Sequence, residues 1–133
     1  MCGGEGNAIS SAFDAAGNLA NGLMSRATAK GNARTIQSVA KQQSKNIVNQ
    51  GRKDASSARA AAAENGLDVN IGAPALIEDE ILGDAAYNAS MNISQAGYGA
   101  SDVLRQGRMQ SNNYGMKAAS SAINAVIQAY GWK

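Results

Sequence analysis

The chain has no histidine, and only one cysteine, one proline, one phenylalanine and one tryptophan among its 133 residues. Without histidine there is no Ser-His-Asp arrangement and none of the usual zinc clusters. A lone Cys2 cannot close an internal disulfide, and it reads as an inert thiol. No apolar run precedes Cys2-Gly3-Gly4, so the start reads neither as a secretory nor as a lipoprotein signal. The glycine-rich pieces follow no strand and carry no phosphate-cradle pattern, and the acidic residues lack calcium-loop spacing. The sequence therefore predicts a protein with no catalytic residues, no cofactor and no metal.

Large aliphatic side chains are also scarce. The apolar fraction is 44%, but alanine dominates it. An alanine contributes far less transfer free energy than a leucine, so one domain of this composition has little to bury. Such a chain is expected to be stabilised by copies of itself or by other proteins.

What the chain does have is two long alanine-rich segments with a single sustained break between them. Asn65-Gly66 reads as a helix stop, and Gly72 with Pro74 reads as a start. The expected fold is all-α: a long antiparallel helical hairpin, packed in a multi-subunit ring or tube. The boundaries read as a flexible arm over 1–7, a first helical region over 8–64 interrupted near Gly31, a turn over 65–74, and a second helical region over 75–133.

The first region carries apolar residues at Ile9, Phe13, Ala16, Ala20, Leu23, Met24 and Ala27, which is helical spacing with a narrow face. Ala8, Ala12, Ala16 and Ala20 add a small residue at every fourth position, a pattern that permits close helix approach. Ile36, Ile47 and Ala58 stand eleven apart, a period near that of an unsupercoiled helix. The remaining surface there is polar and reads either as solvated or as the wall of an aqueous channel.

In the second region, acidic Glu78, Asp79 and Glu80 suit a helix N-terminus. Two heptad lines follow, Leu82, Ala89, Ala96 and Val103, and Ala86, Ile93, Ala100 and Gly107. These predict a seam with a short packing distance, within the hairpin or between subunits. Tyr87, Tyr98 and Tyr114 lie off both lines and suit contacts between subunits. The uncharged stretch from Ala118 to Trp132 is too short and polar to cross a bilayer alone. Phe13, Leu23, Ile123, Val126, Ile127, Tyr130 and Trp132 read as surfaces that dock on membrane or on protein.

The formal charge of +2 conceals a division along the chain. Arg26 to Arg59 holds eight basic residues and one acidic one, whereas Ala60 to Asp102 holds seven acidic residues and no basic one. A hairpin turning near Asp68 to Ile71 places Arg59 near Asp84, Glu64 near Glu78 or Asp79, and the acidic cluster beside Arg52, Lys53 and Arg59. Arg26, Lys30, Arg34, Lys41 and Lys45 are left facing water, a neighbouring subunit or DNA.

The layout resembles the smaller internal virion proteins of short-tailed bacteriophages, the core or ejection proteins. The residues that carry this resemblance are the opening Met1-Cys2 with its alanine- and glycine-rich stretch, Asn46-Ile47-Val48-Asn49-Gln50, and the turn Ser57-Ala58-Arg59-Ala60-Ala61-Ala62-Ala63-Glu64-Asn65-Gly66. A second helix from about Ile77 and the small-residue tract Ala118 to Ala129 complete it. The resemblance implies a homo-oligomeric structural protein of the virion interior, beside portal and other internal proteins. After ejection it implies a part in a conduit for genomic DNA across the host envelope, in contact with outer-membrane lipid. A virion scaffold or a tail or portal adaptor that never meets membrane is the second expectation. A small nucleic-acid-binding helical protein is the third.

Overall fold

The computed structural model describes residues 4–130. They form two helices, α1 (Gly4–Glu64) and α2 (Ala73–Tyr130), which pack against each other as a helical hairpin, with no strand among the described residues. Alanine-rich sequence with few β-branched residues favours both helices, and the one proline falls second in α2, where no intrahelical donor is lost. Helix α1 begins earlier than expected: residues 4–7 of the expected arm are helical. It also runs through Gly31 without a break, because a single glycine costs only about 1 kcal/mol against the hydrogen bonding on either side.

The hairpin tip is built from local hydrogen bonds. Gly66 adopts a φ of 73°, its N–H donates to Ala63 O at 3.0 Å, and the Leu67 N–H donates to Ala62 O at 3.1 Å. That pair of bonds is a Schellman cap, which needs a left-handed residue where glycine stands. The Asp68 carboxylate accepts from the Asn70 N–H at 3.0 Å, forming an Asx turn. Gly72, with a φ of 72°, then opens α2 by accepting from the Leu76 N–H at 3.2 Å. The turn thus spans 65–72, two residues shorter than expected.

The chain divides into two compact units, a tip unit (Arg34–Ala100) and a terminal unit (Met1–Ala33 with Ser101–Lys133). In the tip unit, α1 buries Ala40, Ser44, Gly51 and Ala55, while α2 buries Ala85, Ala89 and Ala100 and half-buries Ala96. In the terminal unit, α1 buries Gly22, Ala29 and Ala33, and α2 buries Gly107 and Ala118 with Ser111 half-buried. Both units repeat steps of four and seven, an eleven-residue period of about 3.67 residues per turn.

This period differs from the heptad lines read for α2. Of the positions read as a hairpin or subunit seam, Ala89, Ala96, Ala100, Val103 and Gly107 are buried or half-buried, while Leu82, Ala86 and Ile93 are more exposed, Leu82 only at 36%. A seven-residue line drifts around a helix whose seam repeats every eleven, so each line crosses the interface rather than following it.

Backbones approach closely along the seam. A methyl group added at Gly51 would lie on Ala85 Cβ, and one at Gly107 on Ala29 Cβ. One added at Gly22 would stand 3.3 Å from Ser111 O and 3.4 Å from Tyr114 Cβ. One polar bridge crosses the tip unit. Asn92 Nδ2 donates to Ala40 O at 3.0 Å and to Ser44 Oγ at 3.1 Å, and Ser44 donates to Ala89 O at 2.9 Å. Every donor in this buried set has a partner, as burial requires.

Candidate functional site

The seam buries little beyond alanine and glycine. Among the described residues, all of its buried apolar side chains are alanines, while twenty-one large hydrophobic residues are exposed. Surface on that scale, rather than any cleft, is the candidate functional feature. Among the described residues no group of histidine, cysteine, aspartate or glutamate could hold a metal ion. No helix there is long and apolar enough to cross a membrane.

In the terminal unit the described residues among those expected to dock on membrane or protein are exposed. Phe13, Leu23 and Tyr130 are 70% or more exposed, and Ile123, Val126 and Ile127 are exposed over more than half their surface. Trp132 lies outside the described residues. Leu19, Leu23, Met116 and Ala119 line an open groove of about 700 Å³ between α1 and α2, with Arg26 and Asn112 at its polar side. Tyr114, expected as an anchor between subunits, is instead half-buried against Gly22, with the Lys117 ammonium 5.9 Å from its ring centre.

The cations expected to lack partners divide between the units. In the terminal unit Arg26 donates to Asn112 Oδ1 at 3.3 Å and shares a groove with Lys30 and Arg108. In the tip unit Arg34, Lys41 and Lys45 are exposed and take part in no ion pair among the described residues. Two ion pairs are formed among the described residues, Arg59–Glu78 at 3.2 Å in the tip unit and Arg105–Asp102 at 3.0 Å in the terminal unit.

The register also departs from expectation. Arg59 meets Glu78 and Asn70, the latter at 2.7 Å, rather than Asp84. The helices dock with Gly51 opposite Ala85, a register that brings Arg59 opposite the start of α2 and beside Glu78 of the acidic cluster expected near it. Asp84 instead lines a tip-unit groove of about 340 Å³ with Gln50, Gly51 and Asp54.

On α2 three of the seven exposed large hydrophobic residues of the tip unit form a line that the sequence reading missed. Leu76, Tyr87 and Tyr98 stand eleven apart and are 69%, 63% and 75% exposed. Sharing the seam's period, they run straight along α2 on the side away from α1. The signal was present as spacing, but it is visible only once the seam's own period is known. No family model matches the chain, and no curated protein or solved structure matches it.

Proposed function

We propose that this chain is a non-enzymatic structural subunit that assembles with copies of itself. In its finer form, the proposal is an internal core protein of a short-tailed phage virion, ejected to help form a conduit for genome delivery across the host envelope. The observation that carries it is the inverted burial: alanines inside, large hydrophobic residues outside. Each exposed large side chain forgoes about 1.5–3 kcal/mol of transfer free energy that a neighbouring copy would supply. The alternating polar surface suits contact with water, and a DNA conduit requires weak rather than tight phosphate contacts. The virion setting rests on the resemblance alone.

A scaffold or portal adaptor that stays off membranes is the second reading, favoured by the lack of a membrane-crossing helix among the described residues. Sedimentation of the purified chain with and without liposomes tests both. A discrete oligomer that floats with lipid is the expected result for an ejection protein, and an oligomer that ignores lipid selects the adaptor. A monomer under both conditions refutes the assembly reading. DNA affinity that falls steeply with salt selects the nucleic-acid reading instead.

A further inference from the structure

We infer that the outer face of α2 in the tip unit is the docking surface for α1 of a second copy, in a head-to-tail contact. The inference rests on the assembly reading and specifies which faces meet. Three observations carry it. The first is the stripe itself: Leu76, Tyr87 and Tyr98 place an apolar face on α2 opposite the alanine face that meets α1. A helix apolar on two opposite sides is one built to be covered on both.

The second observation is the period. A partner stays in contact along twenty-two residues, from Leu76 to Tyr98, only if its surface also repeats every eleven. Helix α1 of this chain does so. Gly51 lies opposite Ala85, so equal steps away from this pair set which residues of α1 and α2 stand at one level. By that register Ala60, Asn49 and Ser38, all exposed, stand at the levels of Leu76, Tyr87 and Tyr98. They lie on the side of α1 away from α2. A second copy set alongside without axial shift therefore offers a smaller residue to each large one. The terminal unit repeats the arrangement within itself: Ala29 lies opposite Gly107, which puts Ala27 at the level of Met109.

The third observation is charge. Asp79 and Glu80 are exposed beside the stripe and form no ion pair among the described residues. Arg52 and Lys53 are equally unpaired, and they stand on α1 within about one helical turn of the same level. An α2-to-α1 contact brings these two pairs together, whereas α1 against α1 would oppose like charges. Such a contact uses different faces on the two copies, so it repeats and closes into a ring or continues as a filament.

The test is sedimentation velocity at low salt on the full chain and two charge-reversed variants, with helicity by circular dichroism as the folding control. Asp79→Lys/Glu80→Lys and Arg52→Glu/Lys53→Glu are each expected to raise the concentration needed for assembly by about tenfold or more. Mixing the two variants in equal amounts is expected to restore assembly, because each then offers the charge that the other lacks. If the Arg52→Glu/Lys53→Glu chain assembles normally alone, or if the mixture fails while both variants remain helical, the docking assignment is overturned. A wild-type chain that stays monomeric overturns the assembly reading itself, and this inference with it.

Discussion

Replacing Gly51 with alanine places a methyl group on Ala85 Cβ, with Ile81 O and Ala85 Cα each 3.7 Å away. The neighbouring atom is itself a methyl fixed to a helix backbone, so no side chain can rotate aside. The helices must separate locally, and overpacking of this kind costs about 1–3 kcal/mol. Removing a mid-helix glycine returns about 1 kcal/mol of helix propensity, leaving a net loss of about 0–2 kcal/mol. Gly83→Ala is the matched control: its methyl group meets nothing within 4 Å, so only the propensity gain of about 1 kcal/mol remains. The two variants should therefore differ by the overpacking cost of about 1–3 kcal/mol, or about 4–12 °C in thermal midpoint followed by helicity. Moving the methyl across the seam, as Gly51→Ala with Ala85→Gly, should recover much of the loss. If Gly51→Ala stabilises the chain as much as Gly83→Ala does, the close approach at this position is wrong.

Further tests address the tip and the polar bridge. Gly66→Ala forces an alanine to the left-handed conformation of the Schellman cap and should cost about 1 kcal/mol, read as a lower urea midpoint. Asn92→Ala removes the donors to Ala40 O and Ser44 Oγ and should cost about 1–2 kcal/mol; an unchanged midpoint would show that the bridge carries no stability. Arg59→Ala removes an exposed pair with Glu78 and a hydrogen bond to Asn70, so the loss should be under about 1 kcal/mol and should shrink as salt rises.

The two helices and their turn were legible from the chain because each is set by neighbours in sequence. Alanine favours helix wherever it stands, Gly66 and Gly72 admit the left-handed backbone of the tip, and Pro74 fits a first turn. That the chain holds no histidine and a single cysteine is read from the sequence without any fold. The outer surface was half legible. Phe13, Leu23 and Ile127, read as docking residues, are exposed, while Tyr114, read as an anchor between subunits, is half-buried at the seam.

The seam was decided by tertiary structure. Reading for heptads placed Leu82 and Ile93 on the same lines as Ala89, Ala100 and Gly107, yet the closest approaches are Gly51 to Ala85 and Ala29 to Gly107. Pattern reading looks for bulk to bury, whereas this pair of helices selects the faces with least bulk, where backbones come closest and each small contact is made along a long line. Alanine and glycine occur on several faces of both helices, so local sequence does not single out one of them. Only docking the helices against each other, with Gly51 opposite Ala85, reveals the eleven-residue period and leaves Leu76, Tyr87 and Tyr98 facing outward.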